Sequence, residues 1–439
     1  MILPRPVRPA HALARVLSLA LLASLLLAAP ASTAAEFPSA TVPDTAGVNT
    51  GVTTKRVDDD DLVKMQQAGI RYMRFDLFWH EVEKAKGVYV WGTFDRVILK
   101  LKRHGIKPIL ILDYGHKLYE PDGGGIHTEE GRQGFANFAA AAVTRYNRQI
   151  PGIIWEIWNE PNSNTFWKPK RNPDEFVALV KATAPAMRKA DPTVTIVSGG
   201  ILELFWSVTQ AYLERCFELG LLKEVDGLGV HLYGGTRNYY PERIIGELAD
   251  LRKRMAAHGA SADYPILNTE YGATLKEYAK ARGLDPARQE LTRAEIYVRM
   301  YLLTLLENVR LNVSYEWRWR DGASGSALLN SDGSPRVTYD AIATVNDQLN
   351  GYAFEKRINN FGKDDFVLVF KRGDQRKLAV WTTGEPHPVS VLVGISASSL
   401  GTIGMTGESG SVEVKNGKLT ASLTTSPMYI DLGTATLAR

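Results

Sequence analysis

After residue 45 the chain repeatedly alternates a short apolar run with a longer segment whose apolar residues recur at helical spacing. Such alternation predicts a parallel sheet whose strands are joined by crossover helices. Eight apolar runs follow one another, and they end near residues 50, 77, 112, 159, 198, 231, 270 and 317. Eight strand-helix units over about 300 residues predict a (β/α)8 TIM barrel, a fold of the α/β class, at residues 45–350.

The pattern changes after Gly351. Apolar and polar residues then form six short runs without helical periodicity, at residues 366–370, 378–381, 389–393, 412–414, 419–423 and 428–430. Asn416-Gly417 lies between two of these runs and favours a tight hairpin turn. We therefore expect a C-terminal antiparallel β-sandwich domain at residues 352–439, packed on the barrel. Its low aromatic content favours structural support over a role as a carbohydrate-binding module.

The first 35 residues have the composition of a secretory signal peptide. Arg5, Arg8 and Arg15 precede an apolar stretch at residues 16–29, and small residues follow at 31–35. This order of charged, apolar and small residues predicts export to the periplasm or the medium. The alternative is an uncleaved anchor that associates the protein with the inner membrane through this segment.

Charge and cysteine content exclude several other classes of protein. The formal net charge is +4, and without the three arginines of the first 35 residues it is +1. This balance gives no reason to expect nucleic-acid binding. Cys216 is the only cysteine, so an intramolecular disulfide is excluded, and the eight histidines lack zinc-site spacing. A monomer with a large core, without metal or organic cofactor, is expected.

Two glutamates close two of the predicted strands. The run at residues 153–158 ends at Asn159-Glu160-Pro161, and the run at 264–269 leads into Glu270. Barrel enzymes place their sites at the carboxyl ends of the strands, and glycoside hydrolysis requires two carboxyl groups there. Further polar and aromatic residues close the predicted strands, so they are expected to face the same cleft: Asn49, Arg74, Asp76, Asp113, Tyr114, Asn159, His231, Tyr233 and Trp317.

The two glutamate motifs resemble those of the clan A retaining glycosidases. Trp158-Asn159-Glu160-Pro161 is similar to the acid/base motif of that clan, and Thr269-Glu270-Tyr271-Gly272 to its nucleophile motif. The segments at residues 71–76, 112–115, 155–162 and 166–169 further resemble glycoside hydrolase family 39. The likeness covers about residues 45–435 and includes relatives that cut a biofilm exopolysaccharide internally.

This resemblance implies a role for each candidate residue. Glu160 becomes the general acid/base and Glu270 the nucleophile, while Asn159 holds the sugar 2-hydroxyl. Arg74 is a suitable cationic partner for the nucleophile, with Tyr233 or His231 as a hydrogen-bond donor to it. Asp76 and Asp113 are expected to orient Arg74 or backbone groups and not to act in catalysis, and Glu156 is expected to be a structural partner. Aromatic rings pack on sugar faces, with Trp317 as the expected floor of the cleavage subsite and these as flanking candidates: Trp79, Tyr114, Trp167, Trp206, Tyr271 and Trp319.

We therefore expect an exported retaining β-glycosidase whose binding partner is a polysaccharide or oligosaccharide. Long loops after the third to sixth predicted strands favour an extended groove and internal cutting of a bacterial exopolysaccharide. The same loops would also close a pocket, so an exo-acting enzyme similar to a β-xylosidase is the alternative. A non-catalytic sugar-binding barrel is a second alternative, although binding alone does not require both glutamates.

Overall fold

Eight parallel strands close into a barrel in this computed structural model, which describes Met1 and residues 35–51, 57–233, 240–318 and 325–437. The signal peptide predicted at residues 1–35 lies almost wholly outside the described residues. Ten strands occur in the described part before residue 318: β1 (Ala46–Asn49), β2 (Tyr72–Phe78), β3 (Glu83–Ala85), β4 (Val88–Tyr89), β5 (Lys107–Asp113), β6 (Ile154–Asn159), β7 (Thr195–Leu202), β8 (Leu228–His231), β9 (Ile266–Tyr271) and β10 (Asn312–Tyr315). β3 and β4 form a small separate hairpin, and the other eight close the barrel in the order β1-β10-β9-β8-β7-β6-β5-β2.

Helices connect these strands and surround the barrel. Those of the described residues are α1 (Asp59–Gln67), α2 (Trp79–Val82), α3 (Gly92–His104), α4 (Glu129–Tyr146), α5 (Pro173–Ala190), α6 (Ser207–Glu218), α7 (Leu221–Glu224), α8 (Ile244–Ala257), α9 (Lys276–Arg282), α10 (Pro286–Leu306) and α11 (Val337–Gln348). A 3-10 turn, Pro241–Arg243, precedes α8. Within the ranges that the structure covers, no helix combines the length with the apolar composition needed to cross a bilayer.

The helix ends follow from local sequence. Asp58 caps α1 in a capping box with Asp61, and the acids of the first turn complement the positive end of the helix dipole. Asn172 caps α5, and Pro173 takes the first helical position, where the missing N–H costs nothing. Gly105 ends α3 at φ 62°, a conformation that glycine adopts without strain.

The barrel interior changes from apolar to polar along the strands. A closed apolar layer fills one end, contributed by Tyr72, Ile109, Ile154, Val197, Leu267, Leu311 and Val313. Side chains that face the same side of a strand are two residues apart. The next inward residues on β2 and β6 are therefore Arg74 and Glu156, and both are buried. The polar layer thus lies above the apolar one, towards the carboxyl ends of the strands.

Nine antiparallel strands form a second sheet at the C-terminal end. They are β11 (Ala353–Arg357), β12 (Asp365–Arg372), β13 (Gln375–Thr382), β14 (His387–Gly394), β15 (Ser399–Ile403), β16 (Ser409–Lys415), β17 (Lys418–Leu423), β18 (Met428–Gly433) and β19 (Thr436–Leu437). Their order is β11-β12-β13-β18-β15-β16-β17-β14-β19. The predicted hairpin turn between β16 and β17 is confirmed, because Asn416 and Gly417 have φ values of 50° and 69°.

The sheet has two apolar faces, as a sandwich requires. Phe366, Leu368 and Trp381 belong to the same core cluster as the barrel helices. Alternate residues of the same strands, such as Val367 and Val380, belong to a second cluster enclosed by the sheet itself. The expected packing against the barrel is therefore confirmed. The exact division into domains at residues 350–352 stays a prediction.

The structure also corrects the predicted elements. β11, β15 and α9 were not predicted, since their apolar positions are too few for a clear period. The eighth predicted barrel strand was placed at residues 312–317, but β10 ends at Tyr315. This difference of two residues changes which aromatic side chain stands at the mouth of the barrel.

Candidate active site

Glu160 and Glu270 converge at the carboxyl end of the barrel. Glu160 directly follows β6, Glu270 lies in β9, and β7 and β8 separate these strands in the barrel. One carboxylate oxygen of each glutamate and one ring nitrogen of His231 all lie within 4.8 Å of one another. Glu160 is 6% exposed, and the Glu270 side chain is 13% exposed. Both carboxyl groups can therefore reach the same atom of a bound ligand.

The backbone leaves the regular strand conformation at the end of β6. Trp158 and Glu160 have φ values of 74° and 44°, in the left-handed region that residues other than glycine rarely adopt. In a regular strand, neighbouring side chains point to opposite faces. Here Asn159 and Glu160 both line the cavity, which the unusual turn makes possible. Strain of about 1–3 kcal/mol per such residue is typical of functional sites.

Arg74 connects the acids of the site. Its Nε lies 2.7 Å from Oε2 of Glu156, and its Nη1 lies 3.0 Å from Oε2 of Glu270. Thr269 donates a further hydrogen bond to Glu156, over 3.0 Å. Burial lowers the pKa of Arg74, but the charges of Glu156 and Glu270 outweigh burial and raise it above the ordinary value. Arg74 is therefore a fixed cation beside Glu270, and Glu156 is its structural partner, as predicted.

Glu270 receives a second hydrogen bond on its other oxygen. The hydroxyl of Tyr233, directly after β8, donates to Oε1 of Glu270. Burial and the negative charge of Glu270 raise the pKa of Tyr233 well above its ordinary value, so the phenol keeps its proton. Glu270 is thus held between a guanidinium and a phenol, and both donors stabilise a negative charge on its carboxylate.

His231 contacts Glu160 and not Glu270. Its Nδ1 lies 2.8 Å from Oε1 of Glu160, and its Nε2 lies 3.4 Å from Nη2 of Arg74. Since a guanidinium only donates, Nε2 must accept, and the ring proton then sits on Nδ1 and points at Glu160. Of the two donors considered for the nucleophile, Tyr233 is correct and His231 is wrong. A glycine, Gly200 on β7, leaves the space that the imidazole occupies.

Asn159 and Tyr114 form one side of the cavity. Oδ1 of Asn159 accepts a hydrogen bond of 3.0 Å from Nη2 of Arg74, and its Nδ2 donates to the hydroxyl of Tyr114 over 3.2 Å. The Tyr114 ring stacks on Phe166, with centroids 5.8 Å apart. Burial, followed by the charge of Asp113, raises the pKa of Tyr114, which therefore stays a neutral phenol. Asn159 and Tyr114 are placed at the cavity as predicted.

The predicted position of Trp317 at the floor of the cleavage subsite is wrong. Trp317 is 1% exposed, its Nε1 donates to Oδ1 of Asp61 over 3.0 Å, and its ring packs near Tyr339. Because β10 ends two residues earlier than predicted, Trp317 packs among the outer helices. Tyr315, the last residue of β10, lines the cavity in its place.

The other aromatic candidates differ in whether their side chains are buried or exposed. Three are buried in the core at 1% exposure or less and cannot meet a sugar: Trp79, Trp167 and Tyr271. Trp206, in the loop after β7, is 47% exposed. Trp319 lies outside the described residues.

A cavity of about 260 Å³ contains these groups. Sequence reasoning assigned no substrate role to several of its lining residues, namely Gly51, Phe78, Ile111, Phe166 and Tyr315. The sequence signal that could have identified Phe78 is the alternation of Arg74, Asp76 and Phe78 on β2, since residues two apart share one face of a strand. Asp76 lines the cavity and makes no described hydrogen bond to Arg74, but the two side chains interact through their charges.

Glu160, His231 and Glu270 also have the spacing of a metal-ligand set in the described part of the chain. Two carboxylates and an imidazole are donors that several divalent cations accept. However, the guanidinium of Arg74 lies 3.0 Å from Glu270 and already neutralises part of the charge that would attract such a cation. The donor set therefore suits a paired carboxylate site better than a metal centre.

The fold and the site together define a class. A parallel (β/α)8 barrel that presents two carboxyl groups on separate strands, with the catalytic face at the strand ends, is the arrangement of a glycoside hydrolase. Residues 34–319, about two thirds of the chain, match the family described as cellulase (glycosyl hydrolase family 5), and the protein belongs to that family. It is therefore a glycoside hydrolase whose substrate is a carbohydrate, and its resemblance to clan A is confirmed.

Solved structures of glycoside hydrolases share the fold over most of the chain. A family 39 glycoside hydrolase from Bacteroides cellulosilyticus WH2 is 23% identical, with a TM-score of 0.72 over 91% of this chain and 82% of the other. A GH39 enzyme from Xanthomonas axonopodis pv. citri is 14% identical, with a TM-score of 0.64 over 90% and 95%. A monomeric β-xylosidase from Caulobacter crescentus CB15 is 15% identical, with a TM-score of 0.61 over 90% and 97%. No curated protein sequence gives a significant match.

Proposed function

We propose that this glycoside hydrolase is a retaining β-glycosidase that works by double displacement, with Glu160 as acid/base and Glu270 as nucleophile. The spacing of the two carboxylates carries the proposal. Retaining enzymes hold their carboxyl groups about 5–5.5 Å apart, whereas inverting enzymes leave about 6.5–9.5 Å for a water molecule. Oxygens of Glu160 and Glu270 that lie within 4.8 Å of each other fit the first geometry and leave no such room.

The partners of the two glutamates support the division of roles. A nucleophile must attack as an anion, and Arg74 and Tyr233 both donate to Glu270. An acid/base must change its protonation state during the cycle. Glu160 is bonded on Oε1 to Nδ1 of His231, which leaves Oε2 to carry the transferred proton. The fixed cation thus stands beside the proposed nucleophile and not beside the proposed acid.

In the first step, an oxygen of Glu270 attacks the anomeric carbon while Glu160 gives its proton to the leaving glycosidic oxygen. The C–O bond to the leaving sugar breaks, and a covalent glycosyl-Glu270 ester forms. In the second step, Glu160 removes a proton from water, the water oxygen attacks the same carbon, and Glu270 leaves. Asn159, fixed by Arg74 and Tyr114, is placed to hold the 2-hydroxyl, whose hydrogen bond strengthens in the transition state.

We further propose that the substrate is a bacterial exopolysaccharide cut internally by an exported monomeric enzyme. The resemblance of residues 45–435 to exopolysaccharide-cutting relatives supports the substrate, and the leader-like composition of residues 1–35 supports a periplasmic or secreted location. The alternative is an exo-acting enzyme, favoured by a cavity of only about 260 Å³ and by a fold shared with a β-xylosidase. The segments 52–56, 234–239 and 319–324 come after barrel strands in the sequence and lie outside the described residues.

The test is hydrolysis of a panel of polysaccharides and aryl glycosides by wild type, Glu160→Gln and Glu270→Gln. We expect both variants to lose at least about 10³-fold in kcat while still binding oligosaccharide in calorimetry. NMR of the first product should show retained anomeric configuration. An inverted product would contradict the double displacement, and wild-type protein that binds glycans but hydrolyses none would indicate a binding barrel.

Internal and terminal cutting are separated by comparing viscosity with new reducing ends. An internal cutter lowers viscosity early, whereas terminal release produces reducing ends at nearly constant viscosity. N-terminal sequencing of the protein recovered from culture fractions tests the exported location. An intact first residue in the membrane fraction would favour the anchor instead.

A further inference from the structure

One acidic pair in the active-site cavity has no part in the double displacement. Asp76 lies on the inward face of β2, two residues after Arg74, and lines the cavity. Asp113 is the last residue of β5, two residues after Ile111, which also lines the cavity. Since β2 and β5 are neighbours, with Phe78 opposite Asp113, the two aspartates meet on the wall formed by these strands.

Asp113 is a buried carboxyl group with few partners. It is 0% exposed, and no donor of the described residues bonds to either oxygen. The Asp76 carboxylate on the neighbouring strand β2 is close enough to act on Asp113 through its charge. Burial and the negative charge of Asp76 raise the pKa of Asp113 well above its ordinary value. Asp113 therefore keeps a proton, and its O–H is available to donate to the carboxylate of Asp76, which lines the cavity.

The described lining of the cavity carries three acids and one cation, and this cation is already paired. Among the described residues that line the cavity there is no lysine, and Arg74 is the single arginine. Arg74 is already bound to Glu156, Glu270 and Asn159. Asp76, Glu160 and Glu270 line the same cavity, and Arg74 is the single basic side chain among its described lining residues. On this lining a ligand carboxylate would meet negative groups, and the described part of the chain offers it no unpaired cation there.

Asp76 also has a definite place relative to the reaction. It lies two residues after Arg74 on the same face of β2, and Arg74 bonds to both Glu270 and Asn159. In the proposed mechanism, Glu270 and Asn159 contact the sugar that forms the covalent ester. Asp76 lines the same cavity, where the ring hydroxyls of that sugar need acceptors.

We propose that Asp76, fixed by the buried Asp113, accepts hydrogen bonds from the hydroxyls of the sugar bound at the cleavage point and selects an uncharged sugar over a uronate. The inference rests on the proposed function and names the class of sugar that its site accepts. Asp76 is the specificity residue, and Asp113 is a positioning residue that acts through it. Negative charge beside this ring also favours the positive charge that develops on it in the transition state.

The experiment uses polysaccharides whose main chains contain both neutral sugars and uronates. The residue at each new reducing end is the one that occupied the cleavage subsite, and borodeuteride reduction labels it for identification. We expect neutral residues at about 99% of the new ends with wild type. Asp76→Asn should lower kcat/KM at least about tenfold and raise the uronate share at least about tenfold, because the repelling charge is lost while an amide remains.

Asp113→Asn and Asp113→Leu separate positioning from packing. In Asp113→Asn the amide can still donate to Asp76, so the preference of this variant for neutral sugars over uronates should stay close to that of wild type. In Asp113→Leu the side chain fills the space without a donor, so the preference for neutral sugars should become weaker. Asp60→Asn, an exposed acid on α1, is the control for a change in net charge. Uronate ends from wild type, or an Asp76→Asn enzyme with unchanged preference, would overturn the inference alone. No new ends from any glycan would overturn the proposed function as well.

Discussion

Arg74 and Glu156 form an ion pair enclosed within the barrel: Nε and Oε2 lie 2.7 Å apart, and the two side chains are 1% and 0% exposed. The same guanidinium reaches Glu270 with Nη1, over 3.0 Å. The ion pair thus fixes the guanidinium of Arg74 beside the proposed nucleophile. The free-energy cost of removing the two charged groups from water is offset by several hydrogen bonds. Glu156 therefore acts on the site through Arg74, although it does not line the cavity itself.

The first prediction concerns this pair. Glu156→Gln should lower the free energy of unfolding by about 3 kcal/mol, because it leaves a buried guanidinium with only part of its charge compensated. It should also lower kcat, since Arg74 can turn away from Glu270. Urea unfolding and steady-state kinetics measure the two effects. Asp95→Asn breaks the more exposed Arg145 pair and should cost about 1 kcal/mol or less. Equal costs for the two variants would contradict the argument.

Tyr233→Phe removes the second donor to Glu270 without changing the size of the ring. We expect kcat to fall about 10–100-fold and the stability to change little, because the lost bond matters most for the anion that attacks. Tyr264→Phe is the matched control, since its hydroxyl bonds to backbone carbonyls of Leu222 and Val225 away from the cavity. An unchanged kcat in Tyr233→Phe would remove this tyrosine from the mechanism.

Gly200→Ala tests the position of His231. A Cβ at residue 200 would lie 2.0 Å from Nε2 of His231, so the imidazole would have to move away from Glu160. We expect at least about a 100-fold loss of kcat, because small misplacements at a reacting centre are costly. Gly246→Ala, in helix α8 with open space around the new Cβ, should keep full activity and gain about 0.5–1 kcal/mol. A fully active Gly200→Ala would show that the imidazole is not needed where it lies.

Glu203 predicts a specific dependence of stability on pH. Burial, and then the charge of Glu247, raise the pKa of Glu203 from 4.5 to about 7 in the folded protein. Below about pH 4.5 the carboxyl is neutral in both folded and unfolded chains, so it has no effect. Between about pH 4.5 and 7 only the unfolded chain ionises, and stability falls as the pH rises, by about 3 kcal/mol in total.

Glu203→Gln should therefore raise Tm at pH 8 and leave it nearly unchanged at pH 4.5. Thermal unfolding at both pH values measures this difference. Glu218→Gln, an exposed acid at the end of α6, should show no such contrast. A Glu203→Gln variant that is equally stabilised at both pH values would place the effect in packing and not in ionisation.

Tyr315 and Trp317 should respond differently to substitution. Tyr315 lines the cavity, so Tyr315→Ala should raise KM about tenfold through loss of an aromatic surface for the sugar. Trp317→Phe should leave KM unchanged and lower the free energy of unfolding by about 1–2 kcal/mol, because the bond to Asp61 is lost. The reverse pattern in the two KM values would restore Trp317 as the sugar platform.

The order of apolar runs was sufficient to predict the barrel and both glutamates. A buried parallel strand is a local property, since its residues must be apolar over five or six positions and must end where polar groups begin. The rule that parallel strands share one functional end then placed Glu160, Glu270, Arg74 and Asn159 together. Strand order explains why these four residues lie at the same end of the barrel, whereas the inward direction of both Asn159 and Glu160 also requires the unusual turn at the end of β6.

The tertiary structure decided what a one-dimensional pattern cannot express. Whether Trp317 or Tyr315 faces the cavity depends on a difference of two residues in where β10 ends. Whether His231 contacts Glu160 or Glu270 depends on the space beside Gly200. That Asp76 and Asp113 lie near each other depends on the pairing of β2 with β5. Sequence alone determined which residues stand at the strand ends. Distance, burial and neighbouring charge, which exist only after the barrel closes, decided what each of them contacts.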